Sequence, residues 1–397
     1  MVKKMADSTK KGAMQLIILF GVVSLFGDIV YEGARSVNGQ YLKTLGADAA
    51  LVGLIAGIGE FVGYAIRLFS GYLSDKTKSY WFFTFLGYGL LCSVPLLAFT
   101  SIWQMAAVYI VLERLGKAMR SPAKDTIISQ AAKQVGTGFG FGIHEAMDQI
   151  GAIAGPLFFS LVFLLKGDYK TGYAVLWIPF ALVMLSILWA YIRFPSPEKF
   201  EKSSKSKVKI ESDRLSKVFW IYNLFTFLSV MGFANFAILG YHFKTVKVLT
   251  DAQIPLFYAI AMGVDAIIAL IIGRLYDKFG LTMLFTIPLF SLSIPVFGFS
   301  NNAIFVIIAI MLWGAAMGVH ETIMRAAIAD LTNLKKRGTG YGIFNTTYGL
   351  AWLFGSSIMG YLYSIKILWV IIFSVGIEFL SIPFFLWLRM EAFYQRK

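Results

Sequence analysis

The chain has 397 residues, of which 58% are hydrophobic and 15% charged, with a net charge of +14. Soluble domains carry about 45–50% apolar and about 25% charged residues, so this composition excludes a soluble enzyme, a disordered chain and a soluble binding module. It predicts a polytopic membrane protein, whose lipid-facing surface is apolar as well as its core. The basic excess fits loops retained on one side of a membrane, and no nucleic-acid partner is expected.

A spanning helix needs roughly 20 residues. Apolar segments fall at 13–37, 48–73, 80–100, 102–131, 136–165, 171–193, 216–243, 252–276, 281–299, 301–330, 338–363 and 367–389. They predict an all-α membrane protein of twelve transmembrane helices. Lys3, Lys4, Lys10 and Lys11 precede the first segment; no small-residue cleavage site follows, and the stretch runs on into Asp28 and Glu32, so it reads as an uncleaved first helix. Lysine-rich residues 195–217 separate a six-helix half at 1–194 from a second at 218–397. Lys76, Lys78, Lys133, Lys278, Lys335, Lys336, Arg337, Arg389 and Arg396 fall on the same side as this linker. That bias predicts cytoplasmic termini and insertion in the cytoplasmic membrane. The single cysteine, Cys92, rules out a disulfide within the chain and a cysteine metal site.

The two halves repeat. Gly71-Tyr72-Leu73-Ser74-Asp75-Lys76 matches Gly273-Arg274-Leu275-Tyr276-Asp277-Lys278, and Gly136-Thr137-Gly138-Phe139-Gly140 matches Gly338-Thr339-Gly340-Tyr341-Gly342. Both pairs stand at the same offset, as expected of parallel duplicates with a substrate site between them.

These loops resemble the signature of the major facilitator superfamily of secondary transporters, roughly Gly-x-Leu-x-Asp-Arg/Lys-x-Gly-Arg/Lys between its second and third helices. The first copy lacks the second glycine and the second copy keeps it as Gly280. The resemblance covers the whole chain. It implies the twelve-helix, two-half pseudo-symmetric fold, alternating access and a monomer, with Gly71, Asp75, Lys76 and Asp277 as gating residues. Asp75 would cap a neighbouring helix and pair with a cation on a facing one. In the fourth segment, Glu113-Arg114-Leu115-Gly116-Lys117-Ala118-Met119-Arg120-Ser121-Pro122-Ala123-Lys124-Asp125 resembles a bacterial and archaeal subgroup loosely linked to efflux. It departs from the drug-exporter pattern, which places an arginine about one turn earlier.

A charge at a helix centre costs about 2.5–3.5 kcal/mol on insertion scales, so buried charges need partners or a function. Asp28, Glu32 and Arg35 share one face of the first segment, Glu60 and Arg67 one face of the second, and His144 and Asp148 one face of the fifth. Glu113, Lys117, Arg120 and Lys124 form a stripe on the fourth. The second half replaces most of these with apolar or polar residues, leaving Asn235, His242, Asp265, His320, Asn345, Tyr348 and Trp352. The expected proton-coupling set is therefore Asp28, Glu32 and Arg120, with Arg120 pairing a first-segment acid. The expected substrate contacts are Arg35, Glu60, Arg67, Lys117, His144, Asp148, Asn235, Asn345, Tyr348 and Trp352. The alternative, a neutral network of paired charges, stays open. So do three cargoes: a small organic compound exported against protons, a divalent metal, or an organic or inorganic anion. No cofactor or resident metal is expected. No Ser-His-Asp spacing or His-Glu-x-x-His motif supports an enzyme.

Overall fold

The computed structural model describes residues 2–200, 215–332 and 337–396. Most of the expected linker, with Lys335 and Lys336, lies outside the described residues. The described residues form helices and connecting turns, without strands. In chain order the α-helices are α1 (Val2–Arg35), α2 (Asn38–Thr44), α3 (Ala49–Thr77), α4 (Tyr80–Gly89), α5 (Ser93–Leu96), α6 (Trp103–Val135), α7 (Thr137–Leu164), α8 (Tyr169–Val175) and α9 (Trp177–Arg193), followed by α10 (Lys217–Gly232), α11 (Phe236–Val246), α12 (Gln253–Phe279), α13 (Thr286–Ser291), α14 (Ile294–Gly298), α15 (Ala303–Leu331), α16 (Arg337–Ile365) and α17 (Ile367–Arg396).

Among the described residues nine stretches are long and apolar enough to cross a membrane. One of them, Gln253–Gly298, is 46 residues long and takes in α12, α13 and α14. The 33-residue α6 is absent from the nine because Glu113, Arg114, Lys117, Arg120, Lys124 and Asp125 dilute its hydropathy. Four expected single helices are interrupted: 171–193 divides into α8 and α9, 281–299 into a 3₁₀ stretch, α13 and α14, and the other two are 80–100 and 216–243. Residues 80–100 run as α4, a 3₁₀ turn, α5 around Pro95, and a second 3₁₀ turn. The segment expected at 216–243 breaks between α10 and α11. There Phe233 is extended, and Asn235 caps α11 by accepting a hydrogen bond from the Ala237 N–H at 2.9 Å.

The chain divides into two compact units. The first holds Met1–Ala34, Ile66–Thr100 and Gln104–Lys207; the second holds Arg35–Ala65, Ser101–Trp103 and Val208–Lys397. Residues 35–65 thus belong to the second unit, apart from most of the other residues of the first six expected segments. Small residues account for this. Gly39 lies against the Ala237 carbonyl, and a methyl group on Gly53 would sit 2.9 Å from the Gly360 Cα. Helices that approach this closely gain contact along their whole length.

In the first unit, α1 and α7 meet at a glycine seam. A Cβ on Gly155 would lie 2.7 Å from the Gly33 nitrogen, and one on Gly151 would lie 3.0 Å from the Asp28 Cβ. Contacts rise together in number along both helices, so α1 and α7 run in the same direction. α4 and α6 are equally close, with Gly87 against the Gly116 carbonyl and the Arg120 Cβ.

Candidate functional site: a charged cluster in the first unit

The α1–α7 seam sets the geometry. Gly151 and Gly155 let the backbones touch, and the turns before them carry Asp148 and His144. Facing them on α1 are Asp28 and Ser24. Ser24 Oγ and His144 Nε2 lie 2.8 Å apart, and one turn along, Asp28 and Asp148 are close enough to act on each other. Lys124 Nζ donates to Ser24 Oγ at 3.4 Å. An ammonium can only donate, so the Ser24 hydroxyl proton is free to point at His144 Nε2, placing the imidazole proton on Nδ1. Lys117 and Lys124 both act electrostatically on the two aspartates, and Glu32 acts on Asp28 and Lys117. Asp28, Asp148, Lys117 and Lys124 are half-buried, whereas Glu32, Glu113 and His144 are buried.

α6 supplies the cations. The Arg114 guanidinium donates to the Tyr31 hydroxyl and its carbon lies 4.6 Å from the centre of that ring. Lys117 Nζ lies 3.7 Å from the same centre. Two cations against one aromatic ring form a cation–π arrangement, joined to Glu113 through its 3.5 Å contact with the Arg114 Nε. Arg67 on α3 lies near enough to act on Lys117. The structure thus brings together Asp28, Glu32, Arg67, Lys117, His144 and Asp148 of the expected set.

Arg120 is placed differently from the expectation. The close α4–α6 crossing at Gly87 draws it toward α4, where its guanidinium carbon lies 4.7 Å from the centre of the Tyr88 ring. It is buried, and its Nη1 has no hydrogen-bond partner among the described residues. Its neighbour is therefore an aromatic face on α4, not a carboxylate of α1.

The remaining expected residues lie in the second unit. Arg35 Nη2 and Glu60 Oε1 form a 3.5 Å ion pair between α1 and α3. Asn235 is committed to structure: besides capping α11 it donates to Ser356 Oγ at 3.2 Å. Tyr348 and Trp352 on α16 belong to a buried aromatic group. Phe233, in the α10–α11 break, stacks on Trp313 at 5.9 Å and meets Trp352 edge-on at 5.7 Å and His320 at 4.9 Å. Trp313 Nε1 donates to the Ala234 carbonyl at 3.0 Å, satisfying backbone that the break leaves open. The Tyr348 hydroxyl reaches His320 Nδ1 at 3.4 Å, and Tyr64 packs edge-on to the Tyr348 ring at 4.7 Å. Asn345 is half-buried one turn before Tyr348.

The loop residues make local contacts. Asp75 is exposed and accepts a hydrogen bond from the Tyr80 hydroxyl at 3.0 Å. It therefore reaches the first residue of α4 through a side chain, without capping the backbone. Lys76 lies 5.8 Å from the Tyr72 ring centre, Asp277 is exposed, and Gly71 packs against Pro122.

The profile of the Major Facilitator Superfamily matches residues 18–294 and 240–396. The chain belongs to the Major Facilitator Superfamily. It is 37% identical over 383 residues to an uncharacterized protein of Mycobacterium tuberculosis, covering 95% of this chain and 94% of that one. It is 29% identical over 365 residues to an uncharacterized MFS-type transporter of Methanocaldococcus jannaschii, covering 88% and 89%. Among solved structures, the nucleoside transporter NupG superposes with a TM-score of 0.72 at 14% identity, covering 93% of this chain and 99% of that chain. A bacterial homolog of the human lysosomal transporter Spinster, inward-facing and unoccupied, gives 0.68 at 14% identity, covering 95% and 98%. At such identities the likeness is one of fold. As a member of this superfamily the chain is a multi-pass membrane transporter, not an enzyme, and its substrate is a small molecule.

Tyr31, Ser24, Tyr88 and Phe233 were not among the residues singled out from the sequence. An aromatic or a serine in an apolar helix carries no signal of its own; only the charges opposite reveal it. Glu378 did carry one, as a lone carboxylate within the apolar run 367–389.

Proposed function

We propose that the chain is a proton-coupled transporter of a small anion, working by alternating access of two six-helix halves. The observation that carries this reading is the charge of the first-unit cluster. Counting buried and half-buried side chains, the carboxylates Asp28, Glu32, Glu113 and Asp148 face the bases Arg67, Arg114, Lys117 and Lys124, a balanced set that one added proton makes positive. Two carboxyl groups placed against each other hold a proton more readily than either alone, so the Asp28–Asp148 pair is the natural proton carrier, and a proton there leaves one positive charge in excess. A divalent metal held between these aspartates would face Lys117 and Lys124, which disfavours that cargo. The partnerless Nη1 of buried Arg120 is a further donor for an anion.

The same charges favour a direction. A proton and an anion about 6 Å apart at an effective dielectric of about 20 attract by roughly 3 kcal/mol, or about a hundredfold in affinity. Binding of one then promotes binding of the other, which supports symport and uptake over the export implied by the fourth-segment resemblance. We take the protein to act as a monomer of twelve spans in the cytoplasmic membrane with cytoplasmic termini. The lysine distribution supports that orientation. Two further spans that hydropathy overlooks, α6 and α16, and the doubled stretch Gln253–Gly298 support the count.

The test is reconstitution into liposomes containing a pH dye. Carboxylates and phosphate esters are offered outside, to wild type and to D28N and R120Q. Inward proton movement driven by an external anion, lost in D28N and needing at least tenfold more anion in R120Q, is the expected result. Proton movement opposite to the substrate, or flux driven by a metal cation, refutes the reading.

A further inference from the structure

α17 carries a carboxyl group that the cluster does not use. Glu378 is fully buried, with Ser374 one turn before it and Ser381 one turn after. Both serines are tied to backbone: Ser374 Oγ donates to the Gly232 carbonyl, and Ser381 Oγ donates to the Glu378 carbonyl at 2.7 Å. Gly232 ends α10 at its break, and a Cβ there would lie 2.9 Å from the Glu378 Cγ. The absence of that side chain is what lets the carboxyl stand against the C-terminus of α10.

Three helices meet at this group. From α10, Ser229 Oγ donates to Glu378 Oε2 at 3.3 Å. From α13, Ser291 approaches the same carboxyl. Yet Glu378 Oε1 and Ser291 Oγ, both buried, have no hydrogen-bond partner of normal geometry. Among the described residues no lysine, arginine, histidine, tyrosine or second carboxylate acts on Glu378 from α10, α13 or α17. A carboxylate here would also lie at the negative end of the α10 dipole. An ionised Oε1 could take the Ser291 hydroxyl as a donor, but the group would then hold a buried charge with no cation to meet it. With a proton on Oε1 the carboxyl is neutral, donating to Ser291 Oγ while Oε2 keeps the bond from Ser229, so α10, α13 and α17 are linked through one uncharged group.

We propose that Glu378, with Ser229 and Ser291, forms a second, exchangeable proton-binding site that ties α10 to α13 and α17 when occupied. It lies wholly within the second unit and is independent of Asp28 and Asp148. Because Gly232 is both its neighbour and the last residue of α10, a proton arriving or leaving bears directly on the α10–α11 break.

The experiment is thermal unfolding of the full-length protein in detergent across a pH series, paired with infrared spectra of the protonated-carboxyl region. Wild type is expected to lose about 3 °C or more in Tm as pH rises and the Glu378 proton leaves. In E378Q, whose amide donates to Ser291 and accepts from Ser229 at any pH, that step and one carboxyl band should be absent; in D28N the step should remain. S291A, which keeps the carboxyl but removes its acceptor, should halve the step or more, and it serves if E378Q does not fold. The proposal is overturned if wild type, E378Q and S291A share one pH profile, since Glu378 then never exchanges its proton. It is also overturned if NaCl stabilises wild type over choline chloride at equal ionic strength and E378Q abolishes that, since the site then holds sodium.

Discussion

Gly53→Ala probes the contact that assigns residues 35–65 to the second unit. Its new methyl group would sit 2.9 Å from the Gly360 Cα and 3.1 Å from the Gly360 nitrogen, and closer still to the Ser356 carbonyl oxygen. None of these is a flexible side-chain tip, so α3 and α16 must move apart by several tenths of an ångström. Such overpacking costs about 1–3 kcal/mol, and alanine's better helix propensity returns about 0.5–1 kcal/mol, leaving a net loss of about 1–2 kcal/mol. Gly263→Ala on α12 is the control. Nothing lies within 4 Å of its Cβ position, so only the propensity gain remains. Thermal unfolding in one detergent should therefore give shifts of opposite sign, with about 2–4 °C per kcal/mol for a cooperative unit of 150–250 residues. If Gly53→Ala raises Tm as Gly263→Ala does, α3 and α16 are not in backbone contact, and the account of why residues 35–65 join the second unit fails.

Tyr31→Phe removes the buried hydroxyl that accepts from Arg114 while keeping the ring beneath Arg114 and Lys117; a loss of about 1.5–3 kcal/mol in unfolding free energy is expected, and no loss would mean that Arg114 is satisfied elsewhere. Asp168→Ala should cost about 1 kcal/mol, because Asp168 caps α8 by accepting from the Thr171 N–H and hydroxyl, each at 2.8 Å. Those hydrogen bonds hold the exposed carboxyl below its ordinary value. Its contribution is therefore present above the usual aspartate range and fades as pH falls through the depressed value. Wild type and Asp168→Ala should converge in stability on acidification, and a gap that persists well below that range would argue against the cap.

The architecture was legible because it depends on period and length, which a single sequence displays. The charged stripes were legible for the same reason: residues three and four apart share a helix face, so Asp28 with Glu32, and His144 with Asp148, were grouped correctly. What the sequence does not carry is which face meets which helix. Arg120 shares a stripe with Lys117, yet the 2.6 Å approach that a Cβ on Gly116 would make to the Gly87 carbonyl turns Arg120 to Tyr88 on α4. The α10–α11 break was hidden because Gly232 and Asn235 interrupt the helix without interrupting hydropathy. The gating loop was read from its motif, but motif residues state no partner, and Asp75 found Tyr80.

The internal repeat separates what the scaffold needs from what it does not. Gly116 and Gly318 are repeat mates, and both lie where a helix backbone passes too close for a side chain, the first against Gly87 and the second against the Asp265 carbonyl. Tyr31 and Phe233 are also mates: both are buried aromatics, one carrying cations and the other tryptophans and histidine. The ionisable groups behave otherwise. At the same offset Asp28 stands opposite Val230, Glu32 opposite Ala234, Lys117 opposite Val319, Lys124 opposite Ala326 and Asp148 opposite Leu350, while Glu378 stands opposite Leu176. If burying these charges were a requirement of the six-helix fold, each half would have to meet it. Each half instead folds without the other's charges, although isolated charges in a membrane are costly. Their retention in one half alone therefore argues for a function rather than a requirement of the fold, and they fall in two separate groups.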